Sequence, residues 1–267
     1  MTEPTALSIV LTGGATGIGA ATVARLEAQG HRVTILDIVQ PAVSVGFIQC
    51  DLSDPAAIDR AIAQLPSQID RLINVAGVSN AASDEKILQV NFLSLRYLTE
   101  QLVPRIADGG CVVNVASSAG YDWRNRQALI DGLLDTPDFD AGMQWLQANQ
   151  AAWQANPYKF SKQCAAAYTY RAAGLASQRG VRVNCVNPGS TGTQLTADFK
   201  RLVGAEKYAW GVRQIGREGE PDDIAEVIEF LATGNNRWLN GVELIVDGGY
   251  IAGLTGGWID LQQSPKQ

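Results

Sequence analysis

Short apolar runs alternate with longer stretches of helical composition along almost the whole chain, and this alternation restricts the fold more than any other feature. Strand-like runs fall at Leu7–Leu11, Arg32–Leu36, Arg71–Val75, Cys111–Val115, Val181–Val186 and Val242–Val246. Helical stretches lie near 17–29, 55–64, 85–105, 158–178 and 221–232. Nearly continuous apolar strands separated by helices imply a parallel sheet covered on both faces, a doubly wound α/β fold. Gly30 follows the first helical stretch as a C-terminal cap, and Asp54-Pro55 and Glu220-Pro221 put proline at the first turn of a helix. No repeat, low-complexity segment or linker divides the 267 residues, so a single domain over 1–267 is expected.

One interval breaks the rhythm. Residues 119–156 separate a strand from the next helix by far more than the usual short connection. The interval holds Trp123, Trp145 and Trp153, half of the six tryptophans, and Ala141–Gln154 has helical character. An insertion with its own packed structure is predicted there.

Charge and composition exclude several functions. With 27 acidic and 21 basic side chains the formal net charge is −6, which disfavours nucleic acid and anionic lipid as partners. His31 is the single histidine, so a multi-histidine zinc site cannot form and no metal site is expected. A Ser-His-Asp hydrolase would need that same residue. Cys50, Cys111, Cys164 and Cys185 are widely spaced beside apolar runs, as expected of small core residues in a cytosolic chain. Met1-Thr2-Glu3-Pro4 lacks the plan of a signal peptide, and no run approaches the about 20 apolar residues of a membrane span. A cytoplasmic location is expected.

Several groups of residues can carry chemistry. Thr12-Gly13-Gly14-Ala15-Thr16-Gly17-Ile18-Gly19 joins the first strand to the first helix, where glycines let backbone approach a pyrophosphate at a helix N-terminus. Its spacing is a variant of the G-x-G-x-x-G fingerprint. Asp37 ends the second strand, where a carboxylate can accept from both ribose hydroxyls and repel a 2′-phosphate. No arginine adjoins it, so NAD is favoured over NADP. Asp51-Leu52 can hold the adenine edge, and Asn74-Val75-Ala76-Gly77 can pass beneath the cofactor.

Tyr158 and Lys162 form an i, i+4 pair on one helix face. A tyrosine hydroxyl titrates at about 10 in the unperturbed state, and an adjacent ammonium together with an oxidised nicotinamide would favour the phenolate. With one histidine in the chain, this is the acid–base couple that the sequence offers. Ser117, next to Ser118, follows a strand at the carboxyl edge of the sheet and can hold a reacting oxygen. Asn91 is a polar residue in an apolar helix, and a water chain leading to Lys162 would give it partners. Asn187-Pro188-Gly189-Ser190-Thr191-Gly192-Thr193 and Val246-Asp247-Gly248-Gly249 are turn-rich strand ends. The first can place Thr193 near a carboxamide; the second can be purely structural.

Taken in order, these residues resemble the short-chain dehydrogenase/reductase family over nearly the whole chain. The resemblance implies a Rossmann-like fold in which Asn91, Ser117, Tyr158 and Lys162 form a catalytic tetrad. Tyr158 would be the general acid/base, Ser117 the carbonyl positioner, Lys162 the ribose ligand and pKa modifier, and Asn91 the anchor of a relay water. It also implies cofactor contacts at Gly13, Thr16, Gly17, Ile18, Gly19, Asp37, Asp51, Leu52, Asn74, Ala76, Gly77, Pro188, Gly189, Thr191 and Thr193. Two departures stand out: Val75 replaces the second asparagine of the common N-N-A-G, and Ser117 and Tyr158 lie unusually far apart. A similar insertion marks a subgroup containing bacterial 3α-hydroxysteroid dehydrogenase/carbonyl reductase and coniferyl-alcohol dehydrogenase, which implies a homo-oligomer, a dimer in place of a tetramer.

The expected activity is NAD-dependent interconversion of an alcohol and its carbonyl. Tyr121, Trp123, Trp145 and the segment Leu195–Trp210 suit an apolar, ring-bearing small molecule, or alternatively pack the insertion or a subunit face. A non-catalytic NAD-binding regulatory module and an NADP-dependent carbonyl reductase are the alternatives.

Overall fold

A computed structural model describes residues 6–265; the Met1–Pro4 segment lies outside them. Seven parallel strands form one sheet in the order β3-β2-β1-β4-β5-β6-β7. In chain order the elements are β1 (Ser8–Thr12), α1 (Gly17–Ala28), β2 (Arg32–Asp37), β3 (Gly46–Gln49), α2 (Pro55–Gln64), β4 (Ile69–Asn74), α3 (Asp84–Leu88), α4 (Ser94–Leu102) and β5 (Ile106–Val115). After β5 come α5 (Gln127–Leu134), α6 (Phe139–Ala148), α7 (Gln150–Trp153), α8 (Pro157–Ser177), β6 (Arg182–Pro188), α9 (Thr196–Val203), α10 (Ala205–Gln214), α11 (Pro221–Thr233), β7 (Glu243–Val246) and α12 (Tyr250–Gly256). The doubly wound parallel sheet expected from the alternation is present.

Alternate strand residues feed two cores. Val10, Leu72, Val112 and Val183 pack toward α2, α4 and α8. Ile9, Leu11, Ile73, Val113 and Val186 pack toward α1 and α11. Both faces are apolar because both are covered. The four cysteines are free and buried, as small core residues. The strand order reverses between β1 and β4, and the crevice at such a reversal is where ligands of open α/β sheets bind.

Local signals act as the sequence implies. Gly30 adopts φ +80° and its N–H donates to the Glu27 carbonyl at 2.8 Å, closing α1. Asp54 caps α2 by accepting from Ala56 N at 2.9 Å. Glu220 and Asp223 cap α11 reciprocally.

Three boundaries differ. The edge strand β3 was not among the expected strands, because four residues are too few to show a period. The stretch 85–105 is broken: a π-helical turn over Gln89–Leu93 separates α3 from α4. The predicted helix Ala141–Gln154 is two helices. Asp138 starts α6 early by accepting from Ala141 N at 2.8 Å, and the chain breaks at Asn149 before α7.

Candidate active site

The glycine loop closes on its neighbours so tightly that side chains are excluded. Gly13 has φ +75°, and a Cβ there would sit 2.5 Å from the Ala76 Cα; one at Gly19 would overlap the Gly13 carbonyl oxygen. Gly17 also has positive φ, +55°. The result is a bare backbone cradle at the N-terminus of α1, the shape and polarity that suit a pyrophosphate. Asp37 stands beside it, one carboxylate oxygen accepting from Ala15 N and the other from Val39 N, each at 3.1 Å. Asp51 accepts from the Ser53 hydroxyl at 2.7 Å, which holds its carboxyl below the usual range. Lys86, not anticipated from sequence, pairs with Asp51 at 3.7 Å.

A cavity of about 720 Å³ runs from this cradle across the carboxyl edge of the sheet. Gly13, Thr16, Gly17, Ile18, Gly19, Asp37, Asp51, Leu52, Ala76 and Gly77 line it, as do Pro188, Gly189, Thr191 and Thr193. Asn74 does not. It is buried at the end of β4, where its Nδ2 donates to Thr99 Oγ1 at 3.1 Å and to Asn114 Oδ1 at 2.9 Å. Asn74 therefore fastens β4 to α4 and β5 beneath the cofactor groove.

Ser117, Tyr158 and Lys162 line the same cavity. Asn156 caps α8 through Lys159 N at 3.0 Å, so Tyr158 enters in the first turn and Lys162 follows one turn later. Ser117 Oγ accepts from Ala119 N at 3.1 Å, which turns the chain after β5. Lys162 is buried and donates to the Val115 carbonyl at 3.1 Å. Burial pushes Tyr158 up to about 12, with the Ser117 hydroxyl drawing it back, and burial pushes Lys162 down to about 8. From the sequence, Lys162 was expected to lower Tyr158. In the structure its ammonium lies 5.9 Å from the tyrosine ring and is taken up by a carbonyl, so burial outweighs it. A positively charged ligand beside both is what would shift that balance.

Asn91 lies outside the cavity wall. In the π-helical turn its Oδ1 accepts from Val78 N at 2.7 Å, while its Nδ2 donates to Val78 O at 3.0 Å and to Ser161 Oγ at 3.2 Å. All of this ties the loop after β4 to α8. Asn91 and Lys162 nevertheless approach across Gly77, where a Cβ would lie 3.4 Å from Asn91 Oδ1 and 3.5 Å from Lys162 Nζ.

The rest of the cavity is apolar. Tyr121 lines it, but Trp123 is buried in the core and Trp145 packs against that core, so two of the three aromatics expected at a pocket face inward. Leu195, Phe199, Leu202, Val203 and Tyr208 contribute from the segment after β6, and the Phe199 ring meets Tyr158 edge-on at 4.9 Å. Sequence reasoning missed α12, which adds Tyr250, Ile251 and Leu254. The signal was the turn-rich Val246–Gly249. Asp247 accepts from Gly249 N at 2.9 Å and Ile251 N at 2.8 Å, and seats its Cβ where one at Gly189 would be 2.5 Å away. This turn delivers α12 to the cavity. Among the described residues there is no group of acidic, histidine or cysteine side chains fit to hold a metal, and no helix long and apolar enough to cross a membrane.

Comparison with known proteins agrees with this geometry. Residues 8–128 match the family model described as short chain dehydrogenase, and residues 142–251 match that described as enoyl-(acyl carrier protein) reductase. Coniferyl-alcohol dehydrogenase of Pseudomonas sp. strain HR199 is 37% identical over 243 residues, 90% of this chain and 95% of that protein. The 3-alpha-hydroxysteroid dehydrogenase of Pseudomonas sp. B-0831, solved with NADH, superposes with a TM-score of 0.75 at 28% identity, covering 94% of this chain and 99% of that one. A short chain dehydrogenase of Burkholderia cenocepacia, solved with NADP, gives 0.68 at 26% identity, with 92% and 98% covered. The bare glycine cradle, the Ser117–Tyr158–Lys162 wall and these similarities lead to one conclusion: the chain belongs to the short-chain dehydrogenase/reductase family.

Proposed function

We propose that the protein is an NAD-dependent alcohol dehydrogenase, or carbonyl reductase in the reverse direction, acting on an apolar, ring-bearing alcohol. The observation that carries the reading is the convergence of Ser117, Tyr158 and Lys162 on one wall of a cavity whose far end is the glycine cradle and Asp37. NAD, when bound, supplies the hydride acceptor and a positive charge that favours phenolate. Tyr158 takes the substrate hydroxyl proton as the alcohol is oxidised and returns it when the carbonyl is reduced. Ser117 holds the reacting oxygen, and Lys162 offers its ammonium to the ribose hydroxyls. Asn91 acts by holding the loop after β4, since its amide is taken up by Val78 and Ser161.

Asp37 supports NAD over NADP, because a carboxylate repels a 2′-phosphate and no arginine among the described residues lines the cavity. The apolar wall around Phe199 and Tyr250 supports a ring-bearing substrate. The test is an NAD-coupled screen of cinnamyl, benzylic, terpenoid and steroid alcohols, with Tyr158→Phe as control. Turnover of a ring-bearing alcohol that falls about 10²–10⁴-fold in the variant is expected. Near-parental turnover by Tyr158→Phe on the best substrate would sink the mechanism. NADH binding without turnover across the panel would favour a regulatory module. The dimer implied by the insertion is read separately, from the mass in light scattering.

A further inference from the structure

The insertion begins with Tyr121-Asp122-Trp123-Arg124, and these four neighbours do three different things. Tyr121 lines the cavity and is 40% exposed. Asp122 bonds to α8. Its Oδ2 accepts from Lys159 Nζ at 2.6 Å and its Oδ1 from Gln163 Nε2 at 2.8 Å. Lys159 and Gln163 each follow a residue of the reactive pair, Tyr158 and Lys162, so Asp122 grips the helix turn that carries both. Trp123 and Arg124 reach to β7. There Glu243, whose side chain is 9% exposed, accepts from Trp123 Nε1 at 2.9 Å and from the Arg124 guanidinium at 3.4 Å. The other oxygen of Glu243 accepts from Asn187 Nδ2 at 2.9 Å, just before the cavity-lining Pro188-Gly189. The Arg124 guanidinium also stacks over the Trp123 ring at 4.4 Å and bonds the Tyr170 hydroxyl at 2.8 Å.

A carboxylate this buried is costly unless its acceptors are filled, and here three donors fill them. Two of the three come from the insertion and the third from the strand end beside the site. Trp123 and Arg124 are thus held by a charge that the sheet supplies. With Asp122 bonded to α8 and Trp123 and Arg124 bonded to Glu243 on β7, all three residues that follow Tyr121 are fixed, which limits how far its backbone can move from the cavity wall.

We propose that Asp122 and Glu243 are positioning residues: they pin the start of the insertion to the catalytic helix and to the sheet, so that Tyr121 is held as a substrate-facing wall beside Tyr158. The proposal rests on the reading that Tyr158 faces the substrate. It makes the insertion act on specificity through one tyrosine, while its tryptophans serve as anchors.

The test uses Asp122→Asn, Trp123→Phe and Tyr121→Ala in the full chain, with cinnamyl alcohol as the ring-bearing probe. Asp122→Asn and Tyr121→Ala should each raise KM for cinnamyl alcohol about tenfold while kcat and the NADH Kd stay close to parental values. The double variant should be no worse than Tyr121→Ala alone, because both lesions act through the same ring. Asp122→Glu, which keeps the charge, should recover most of the loss. A parallel measurement needs no turnover: with NADH bound, amide exchange over residues 119–126 should quicken in Asp122→Asn and Trp123→Phe, while amides of α8 keep parental rates. Unchanged exchange in both variants overturns the proposal, as do KM effects that multiply in the double variant. A uniform fall in kcat and Tm with no KM effect also overturns it, since that is the signature of a merely structural contact. Retained turnover in Tyr158→Phe would sink the active-site reading alone, leaving the exchange result to judge the clamp.

Discussion

The two ends of the cavity are built on different principles. The cofactor end, from Gly13 to Asp37, is shaped mainly by backbone: a strand, a turn whose Gly13 and Gly19 leave no room for a Cβ, and a helix N-terminus within one continuous segment. The end beyond Tyr158 is made of side chains drawn from the insertion, α9, α10 and α12, which meet only in three dimensions. Backbone shape tolerates no added atom. Side-chain walls tolerate many changes at a modest cost, so the first end is expected to be brittle under substitution and the second adjustable.

The largest expected effect tests that brittleness. Gly13→Val adds a branched side chain at φ +75°, where even a Cβ would meet the Ala76 backbone at 2.5 Å. NADH affinity should fall at least about a hundredfold, or the chain should fail to fold, since β1 and the loop after β4 must separate. A fluorescence titration with NADH reads the first outcome and circular dichroism the second. A folded Gly13→Val that binds NADH like the parent would break the contrast between the two ends at once.

Next in size is a pH effect at the hinge between them. Lys162 is held down to about 8 by burial, below the usual lysine range, so between about pH 8 and 10 the unfolded chain binds the proton that the folded chain has lost. On that account stability of the ligand-free protein rises with pH through the window, by an amount on the order of a few kcal/mol. Tyr158, raised to about 12, has the opposite sign but begins to matter only above about pH 10, where the unfolded phenol would ionise. The buried cysteines, also raised, oppose the rise from about pH 9. The clean observable is therefore the stability of the parent minus that of Lys162→Met in chemical denaturation, which should shift in the parent's favour from pH 7 to pH 9. A flat difference would mean that Lys162 is not desolvated in the ligand-free cavity.

How far each end was legible in the sequence follows from the same contrast. The positions of Gly13, Gly17, Gly19, Asp37, Tyr158 and Lys162 on the cavity were readable because the signals are local: the glycines share one strand–turn–helix unit, Asp37 ends β2, and Tyr158 and Lys162 stand one turn apart on α8. The side-chain partners of Asn74, at the end of β4, and of Asn91, in the π-helical turn, were not legible. Whether a buried amide bonds a ligand, a water or the Val78 backbone depends on residues far along the chain. α12 went unseen for a similar reason. It reaches the cavity because Gly189 leaves room for Asp247, and no spacing links positions on two different strands. The π-helical turn at Gln89–Leu93 is likewise a tertiary effect, invisible to a 3.6-residue period.

A smaller effect sharpens the picture of the cofactor end. Asp37 has both oxygens occupied by Ala15 N and Val39 N, so it shapes the glycine loop as well as facing the groove. Asp37→Asn should weaken NAD about tenfold and narrow the preference over NADP, with substrate KM unchanged. Comparing kcat/KM for the two cofactors checks this, and a variant that keeps the parental preference would remove the carboxylate from the specificity argument.

The smallest expected effect concerns the insertion's other aromatics and separates anchoring from recognition. Trp145 sits on α6 with its indole against α5, where a Cβ at Gly132 would lie 3.1 Å from its Nε1, and it takes no part in the cavity. Trp145→Phe removes part of a half-buried ring and leaves a small gap, which should cost about 1 kcal/mol of stability and nothing in substrate ranking. Tyr121→Ala should do the reverse, changing the ranking of ring-bearing alcohols while hardly moving Tm, because its side chain is 40% exposed at the cavity and packs little. The pair would divide a segment of one composition into two roles by direction alone: Trp145, packed on the core and against Gly132 of α5, anchors the insertion, and Tyr121, on the cavity wall, is the one proposed to meet the substrate. A Trp145→Phe enzyme with altered ranking would show that the insertion moves as a body during turnover, and the adjustable end of the cavity would then extend through α6 as well.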